Sequence, residues 1–127
     1  MNASNVSATD LLNTARNTLI GGLLPTLSEE FHYDCRMIAR AMSVAAREIE
    51  LGAEVARIEA NSLSEVLAQH GLVKLTAEHA RHLLAGFIRN GVFDTQDAAQ
   101  AKMLEALMLI TRAHLAISNP KVVRDDR

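Results

Sequence analysis

The sequence predicts an all-α protein, a single bundle of about five helices. Apolar residues recur at steps of three and four along nearly the whole chain, which is the period of amphipathic helices. Only two prolines interrupt this pattern, Pro25 and Pro120. Residues that start or end helices separate the apolar stretches, and they divide the chain into five predicted helices.

The first predicted helix begins after Ser7. Ser7 and Asp10 have the spacing of a capping box, in which side chains accept hydrogen bonds from the free amides of a helix start. The pair Gly21-Gly22 ends or weakens this helix, and Pro25 disfavours helical geometry at the residue before it. Residues 1–6 are predicted to form a flexible tail.

The second predicted helix is the longest. Thr26 and Glu29 repeat the capping-box spacing, and Gly52 is a typical C-terminal stop. A buried seam is predicted at steps of four and three residues, consisting of Phe31, Cys35, Ile38, Met42, Ala45 and Ile49. Cys35 is therefore interpreted as a small core residue and not as a nucleophile.

Three further helices complete the predicted bundle. The third stops at Gly71, and the fourth begins at Thr76 and ends at Asn90-Gly91. Asp94, with Asp97 three residues later, predicts the start of the fifth.

The fifth predicted helix has two apolar sides and ends at Asn119-Pro120. Both apolar faces of such a helix have to be covered by other residues. The predicted domain, residues 7–119, is small, so part of that cover has to come from a second copy. The sequence therefore predicts a homo-oligomer, with a dimer favoured. The predicted interface residues are Leu104, Met108 and Leu115. Residues 120–127 are predicted to be a frayed C-terminal tail.

The composition argues against several classes of protein. Thirteen Lys and Arg against fifteen Asp and Glu give a net charge of -2, and aromatic residues make up 3%, so no nucleic-acid partner is expected. A single cysteine cannot form an intramolecular disulfide, which favours a reducing cytoplasm. The N-terminus lacks the pattern of a signal peptide, and no stretch is long and apolar enough to suggest a membrane span.

The motifs of common enzyme classes are absent from the sequence, so no catalytic residue and no cofactor are predicted. There is no Gly-x-Ser-x-Gly elbow, no glycine-rich phosphate loop and no Cys-x-x-Cys pair. His114 falls within the apolar stripe of the last helix. It is interpreted as a core histidine with a hydrogen-bond partner, and a pocket-lining or acid-base role is the alternative.

Two histidine patterns resemble fragments of metal sites, but no metal is predicted. His79 and His82 are three residues apart on one helix, yet both lie away from its apolar face, which favours a solvated role. Glu29 and His32 have the Glu-x-x-His spacing of di-iron bundles, and the chain contains no second copy of that motif.

Three arginines recur along the predicted long helix. Arg36, Arg40 and Arg47 could line a groove that holds a phosphate or a carboxylate. Glu48 and Glu50 stand close enough in sequence to compensate part of this charge, so ion pairs between helices are the simpler interpretation.

Several short motifs in order resemble a family of small bacterial all-helical proteins of unknown function. They are Leu23-Leu24-Pro25, Arg36, the run Arg47-Glu48-Ile49-Glu50-Leu51-Gly52, Ile88-Arg89-Asn90-Gly91 with Asp94, and Leu115-Ala116-Ile117-Ser118-Asn119-Pro120-Lys121. The resemblance covers the chain from about Leu11 to Lys121. The sequence departs from the family at Arg40, where members tend to carry Asn, and at His114, where they tend to carry Lys.

The resemblance implies an accessory role and no established chemistry. Members are often encoded beside acyl-CoA dehydrogenases and kinases that resemble aminoglycoside phosphotransferases, so either kind of protein is an expected partner. The polar residues within the matched motifs, among them Arg36, Arg47 and Arg89, become candidates for a functional cluster.

Together these observations favour a non-catalytic interaction or accessory protein that self-associates. The alternative is a small-molecule protein that binds an acyl or acyl-CoA-like group in an arginine-lined groove. Its candidate ligand-binding residues are Arg36, Arg40, Arg47, Arg89 and His114. An enzyme that uses His114 in a pocket is a third hypothesis.

Overall fold

The computed structural model describes residues 6–125, and every regular element in this range is helical, which confirms the all-α fold class. The elements in chain order are α1 (Ala8–Thr18), a π-helical turn (Leu19–Leu23), two 3-10 turns (Leu24–Thr26 and Glu29–Phe31), α2 (His32–Ala68), α3 (Ala77–Arg89), α4 (Ala98–Ser118) and α5 (Pro120–Asp125).

The chain divides into two compact units. Unit 1 comprises Met1–Gly52 and Ile117–Asn119, and unit 2 comprises Ala53–Ala116 and Pro120–Arg127. None of the described helices combines the length and the apolar composition that crossing a bilayer requires.

The predicted second and third helices are one helix, so the predicted stop at Gly52 is wrong. Gly52 lies inside α2, where an added Cβ would approach only the carboxylate end of Glu48, 3.3 Å away. A glycine inside a helix costs about 1 kcal/mol relative to alanine, which is too little to end a helix that continues on both sides.

The predicted start of the long helix at Thr26 is also wrong. Thr26 ends a 3-10 turn, and its hydroxyl donates a 2.7 Å hydrogen bond back to the carbonyl of Leu23. Ser28 then has the extended backbone of an N-cap, and α2 begins at His32. The threonine therefore closes one turn and does not open the next.

The buried face of the first half of α2 differs from the predicted seam. Phe31, Ile38 and Ile49 are exposed, whereas the buried positions are Cys35, Ala39 and Ala46. The burial of Cys35 is as predicted. Apolar residues occupy more than one side of this helix, and their spacing alone does not show which side packs.

The core of unit 2 joins the second half of α2 to α3 and α4. Its buried cluster consists of Leu63, Val66, Leu67, Ala80, Leu84, Phe93, Met103 and Ala106. Phe93 lies between α3 and α4 and is almost fully buried. The ring of His70 packs against Phe87 and Phe93, with a centroid distance of 5.4 Å to each.

Several predicted helix ends are confirmed. The Ser7 hydroxyl accepts from the amide of Asp10 at 3.1 Å, and that of Thr76 accepts from the amide of His79 at 3.2 Å. Gly71 and Gly91 both have φ between 70° and 80°, the left-handed geometry that favours glycine after a helix end.

The start of the last predicted helix and the tail that follows this helix need correction. Asp97, and not Asp94, caps α4, because its Oδ1 accepts from the amide of Gln100 at 3.1 Å. The helix ends at Ser118, before Asn119-Pro120, as predicted. The predicted frayed tail instead forms the short helix α5. Residues 1–5 of the predicted N-terminal tail and residues 126–127 lie outside the described residues.

Candidate functional site

The polar centre of unit 2 is a carboxylate on α2, Glu59, whose residue is only 8% exposed. Arg81 on α3 donates from its Nε to Glu59 Oε1 at 2.8 Å. His114 on α4 places its Nε2 3.3 Å from Glu59 Oε2. Glu59 therefore connects all three long helices of this unit through its two oxygens.

The cluster of Glu59, Arg81 and His114 supplies partners to a buried carboxylate. A carboxylate with so little access to water needs charged or hydrogen-bonding partners to offset its lost hydration. Both oxygens of Glu59 already have a partner, so neither is aimed at an empty space in the manner of a general base. The arrangement links α2, α3 and α4 through the side chain of Glu59.

His114 differs from its predicted environment. Its side chain is 56% exposed, so the interpretation as a core histidine is wrong. Its predicted hydrogen-bond partner does exist and is Glu59.

Sequence reasoning did not identify Glu59 or Arg81 as members of this cluster. The available signal was the position of Glu59, which lies in line with Val55 and Val66 on the buried side of α2. A charged residue within a buried helical stripe predicts an ion partner on a neighbouring helix. Arg81 carries no comparable signal because its side chain is exposed.

The predicted ligand-binding arginines occupy different environments. Arg36 and Arg40 are exposed on α2, and Arg89 is the exposed last residue of α3. Arg47 is half-buried, and its Nε donates a 2.7 Å hydrogen bond to the carbonyl of Ile117 at the end of α4. Carbonyls in the last turn of a helix have no partner within it, so Arg47 satisfies one of them.

The two exposed histidines of α3 border a shallow surface depression. His79 and His82 line a concavity of about 540 Å³, together with Thr76, Glu78 and Arg81. Among residues 6–125, no group of three or more side chains is arranged to hold a metal ion.

The outward side of α4 is apolar. Leu104 and Met108 are 55% and 57% exposed, while Met103 and Ala106 on the opposite side are buried in the core of unit 2. Ala101 and Thr111 are exposed and Leu115 is half-buried on the same outward side. We call these residues the outer stripe; its members are Ala101, Leu104, Met108, Thr111 and Leu115.

The chain matches the model of the family described as Domain of unknown function (DUF6285) over residues 25–122. This match covers more than half of the chain, and the protein belongs to that family. No curated protein and no solved structure matches the chain.

Proposed function

We propose that this protein is a non-catalytic interaction protein that associates with itself through the outer stripe of α4. The observation that supports the proposal is the exposure of Leu104 and Met108, two large apolar side chains one turn apart on a helix whose other side is already packed. Neighbouring residues at this spacing form a continuous apolar surface.

Burial of apolar surface would drive such an association. Burying a leucine or methionine side chain contributes about 1.5–3 kcal/mol relative to leaving it in water. In a two-fold symmetric pair the same surface is buried on both copies, so each residue counts twice. The core of unit 2 already holds α4 in helical form, which lowers the entropic cost of ordering this surface on binding.

The charged cluster of unit 2 supports a non-catalytic role. Glu59 uses both oxygens to hold Arg81 and His114, which is a stabilising arrangement. We further propose that the assembly acts in the bacterial cytoplasm as an accessory to an acyl-CoA dehydrogenase or to a kinase that resembles aminoglycoside phosphotransferases. This part of the proposal is supported by the motif resemblance alone.

Sedimentation velocity over a range from about 5 to 200 µM tests self-association. We expect the wild-type protein to sediment as a dimer and the L104E/M108E variant as a monomer, because four carboxylates, two from each copy, would have to lose their hydration at the interface. Circular dichroism should show unchanged helix content in the variant.

Leu109→Glu is the matched control. Leu109 is 51% exposed on the same helix but lies outside the outer stripe, so its variant should remain a dimer. A wild-type protein that is monomeric throughout this range, or an L104E/M108E variant that still dimerises, would overturn the proposal.

A concavity in unit 2 favours a second candidate function, the binding of an acyl group with an anionic end. It has a volume of about 420 Å³, and Ile58, Leu109 and Ala113 form its apolar part. Arg57 and Arg112 also line it, and a carboxylate or phosphate would share Arg57 with the Glu54 carboxylate that already pairs with it.

A thermal-shift assay with octanoate and octanoyl-CoA tests this second candidate. Binding should raise the Tm of the wild-type protein and of L104E/M108E equally, and Leu109→Glu should abolish the effect. The absence of any shift with either compound in the wild-type protein would count against it.

A further inference from the structure

We infer that two copies of α4 pair antiparallel through the outer stripe, with Glu105 of each copy beside the partner subunit's Arg112. This inference rests on the proposed self-association and specifies its geometry. It depends on the spacing of the stripe and on the charges that flank it.

The outer stripe has the spacing of a coiled-coil seam. Its five members follow one another at steps of three, four, three and four residues, from Ala101 to Leu115. Side chains at this repeat of 3.5 residues stay on one side of a helix and can interdigitate with those of a second helix. The opposite side of α4 packs in unit 2, and four of the five stripe members are exposed while Leu115 is half-buried, so the stripe is the side available to a second copy.

Two exposed residues of opposite charge flank the stripe. Glu105 and Arg112 follow Leu104 and Thr111 directly and are seven residues apart, so they lie on the same flank. Charges on one flank of α4 affect the relative orientation of the two helices. In an antiparallel pair this flank of one helix faces the same flank of the other helix.

An antiparallel pair makes these charges complementary. In the register that places Leu104 opposite the partner's Leu115 and Met108 opposite the partner's Thr111, Glu105 lies two residues from the partner's Arg112 along the axis. This offset is about 3 Å at the rise of an α-helix, within reach of an ion pair. The two-fold axis repeats the contact, so the dimer contains it twice.

A parallel pair lacks this complementarity. In that orientation the flank of Glu105 and Arg112 faces the other flank of the partner, where the corresponding positions are Gln100 and Leu107. Neither residue carries a charge. The charge pattern therefore favours the antiparallel arrangement.

Charge reversal tests the ion pairs. The dimer Kd of E105R, R112E and the double variant E105R/R112E should be measured by sedimentation at low salt. We expect each single reversal to weaken the dimer about tenfold, because it replaces two attractions by two repulsions. The double variant restores opposite charges and should return to within about threefold of the wild-type Kd.

Lys102→Glu is the matched control, since Lys102 is an exposed cation of α4 outside this flank. It should leave the Kd within about twofold of wild type. If the single reversals leave the Kd unchanged, or if the double variant dimerises as weakly as the single ones, the proposed register is wrong. Self-association itself is tested separately by the L104E/M108E variant. A monomeric wild-type protein would overturn both proposals.

Disulfide trapping tests the orientation independently. In a Cys35→Ala background, Leu104→Cys protein is mixed with ¹⁵N-labelled Leu115→Cys protein and oxidised. The antiparallel register brings these two positions together, so we expect disulfides between labelled and unlabelled chains. Disulfides only within each species would indicate parallel pairing, because in the antiparallel dimer two copies of one position are about 16 Å apart along the axis.

Discussion

At the scale of single residues, the stability of unit 2 depends on the buried carboxylate of Glu59 and its partners. Glu59 is the buried member of its cluster, whereas the side chains of Arg81 and His114 are more than half exposed. Replacing each of the three residues therefore leaves different groups without their partner. Removing a partner of Glu59 strands a desolvated carboxylate, while removing Glu59 leaves two groups that water can solvate.

This asymmetry gives the first prediction. Arg81→Ala should lower the free energy of unfolding by about 2 kcal/mol, and Glu59→Gln by about 1 kcal/mol. In the double variant the two effects should not add, because the second replacement removes the stranded charge. Urea unfolding of the four proteins measures the coupling. Additive losses would show that Glu59 and Arg81 do not interact energetically.

A second residue-scale prediction concerns the cap of α4. The hydrogen bond from the Gln100 amide, with that from the Thr95 side chain, holds the pKa of Asp97 below its ordinary range. A carboxyl group with a lower pKa in the folded state stabilises the protein above its unfolded pKa, and this contribution is lost as the pH falls through the folded pKa.

Asp97→Ala should therefore destabilise the protein more at pH 7 than at pH 3. Asp97→Asn is the control, because its amide oxygen accepts the same hydrogen bond without a charge: it should destabilise less than Asp97→Ala at each pH, while its difference from wild type should shrink equally as the pH falls. Thermal unfolding at both pH values measures the difference. If Asp97→Ala destabilises the protein equally at pH 7 and at pH 3, the proposed contribution of the Asp97 carboxylate is wrong.

At the scale of elements, local signals predicted helix ends well where a side chain meets its own backbone. Ser7 and Thr76 cap their helices, and Gly91 adopts positive φ, each as the sequence indicated. These interactions involve residues within three or four positions of one another, so the sequence contains all the information they need.

Element predictions failed where packing decides between alternatives. Gly52 is compatible with a helix end or a helix interior, and Thr26 with either end of a turn. In the candidate site, too, local spacing predicted some features and packing determines others. The apolar outer side of α4 was visible in the spacing of Leu104 and Met108, but the partner of His114 depends on Glu59, 55 residues away.

Gly52 supplies the element-scale prediction. Gly52→Ala should raise the free energy of unfolding by up to about 1 kcal/mol, because alanine favours the helix and the only atoms near a new Cβ belong to the flexible end of Glu48. Gly91→Ala is the matched contrast. It should destabilise by about 1–2 kcal/mol, since Gly91 has a φ of 79° and an added Cβ would lie 3.0 Å from Asp94 Oδ2. Chemical denaturation of both variants measures these opposite signs, and a destabilised Gly52→Ala protein would show that this position requires glycine.

At the scale of the whole molecule, apolar exposure is present in each unit. Leu11, Tyr33 and Ile38 are exposed in unit 1, and Leu104 and Met108 in unit 2. Scattered exposed apolar residues are normal on protein surfaces, whereas a continuous stripe on one helix indicates a binding surface. The periodicity of α4 therefore makes it the stronger candidate for contact with a second copy.

Self-association makes thermal stability depend on protein concentration. If folded chains pair and unfolded chains do not, raising the concentration stabilises the folded state by mass action. For a dimer that unfolds to two separate chains, a hundredfold rise contributes about 2.7 kcal/mol, which raises the Tm by roughly 5 °C for a dimer of this size. Calorimetry at about 5 and 500 µM measures this shift. The L104E/M108E variant should have the same Tm at both concentrations. If the wild-type Tm is also the same at both concentrations, folding and association are not linked.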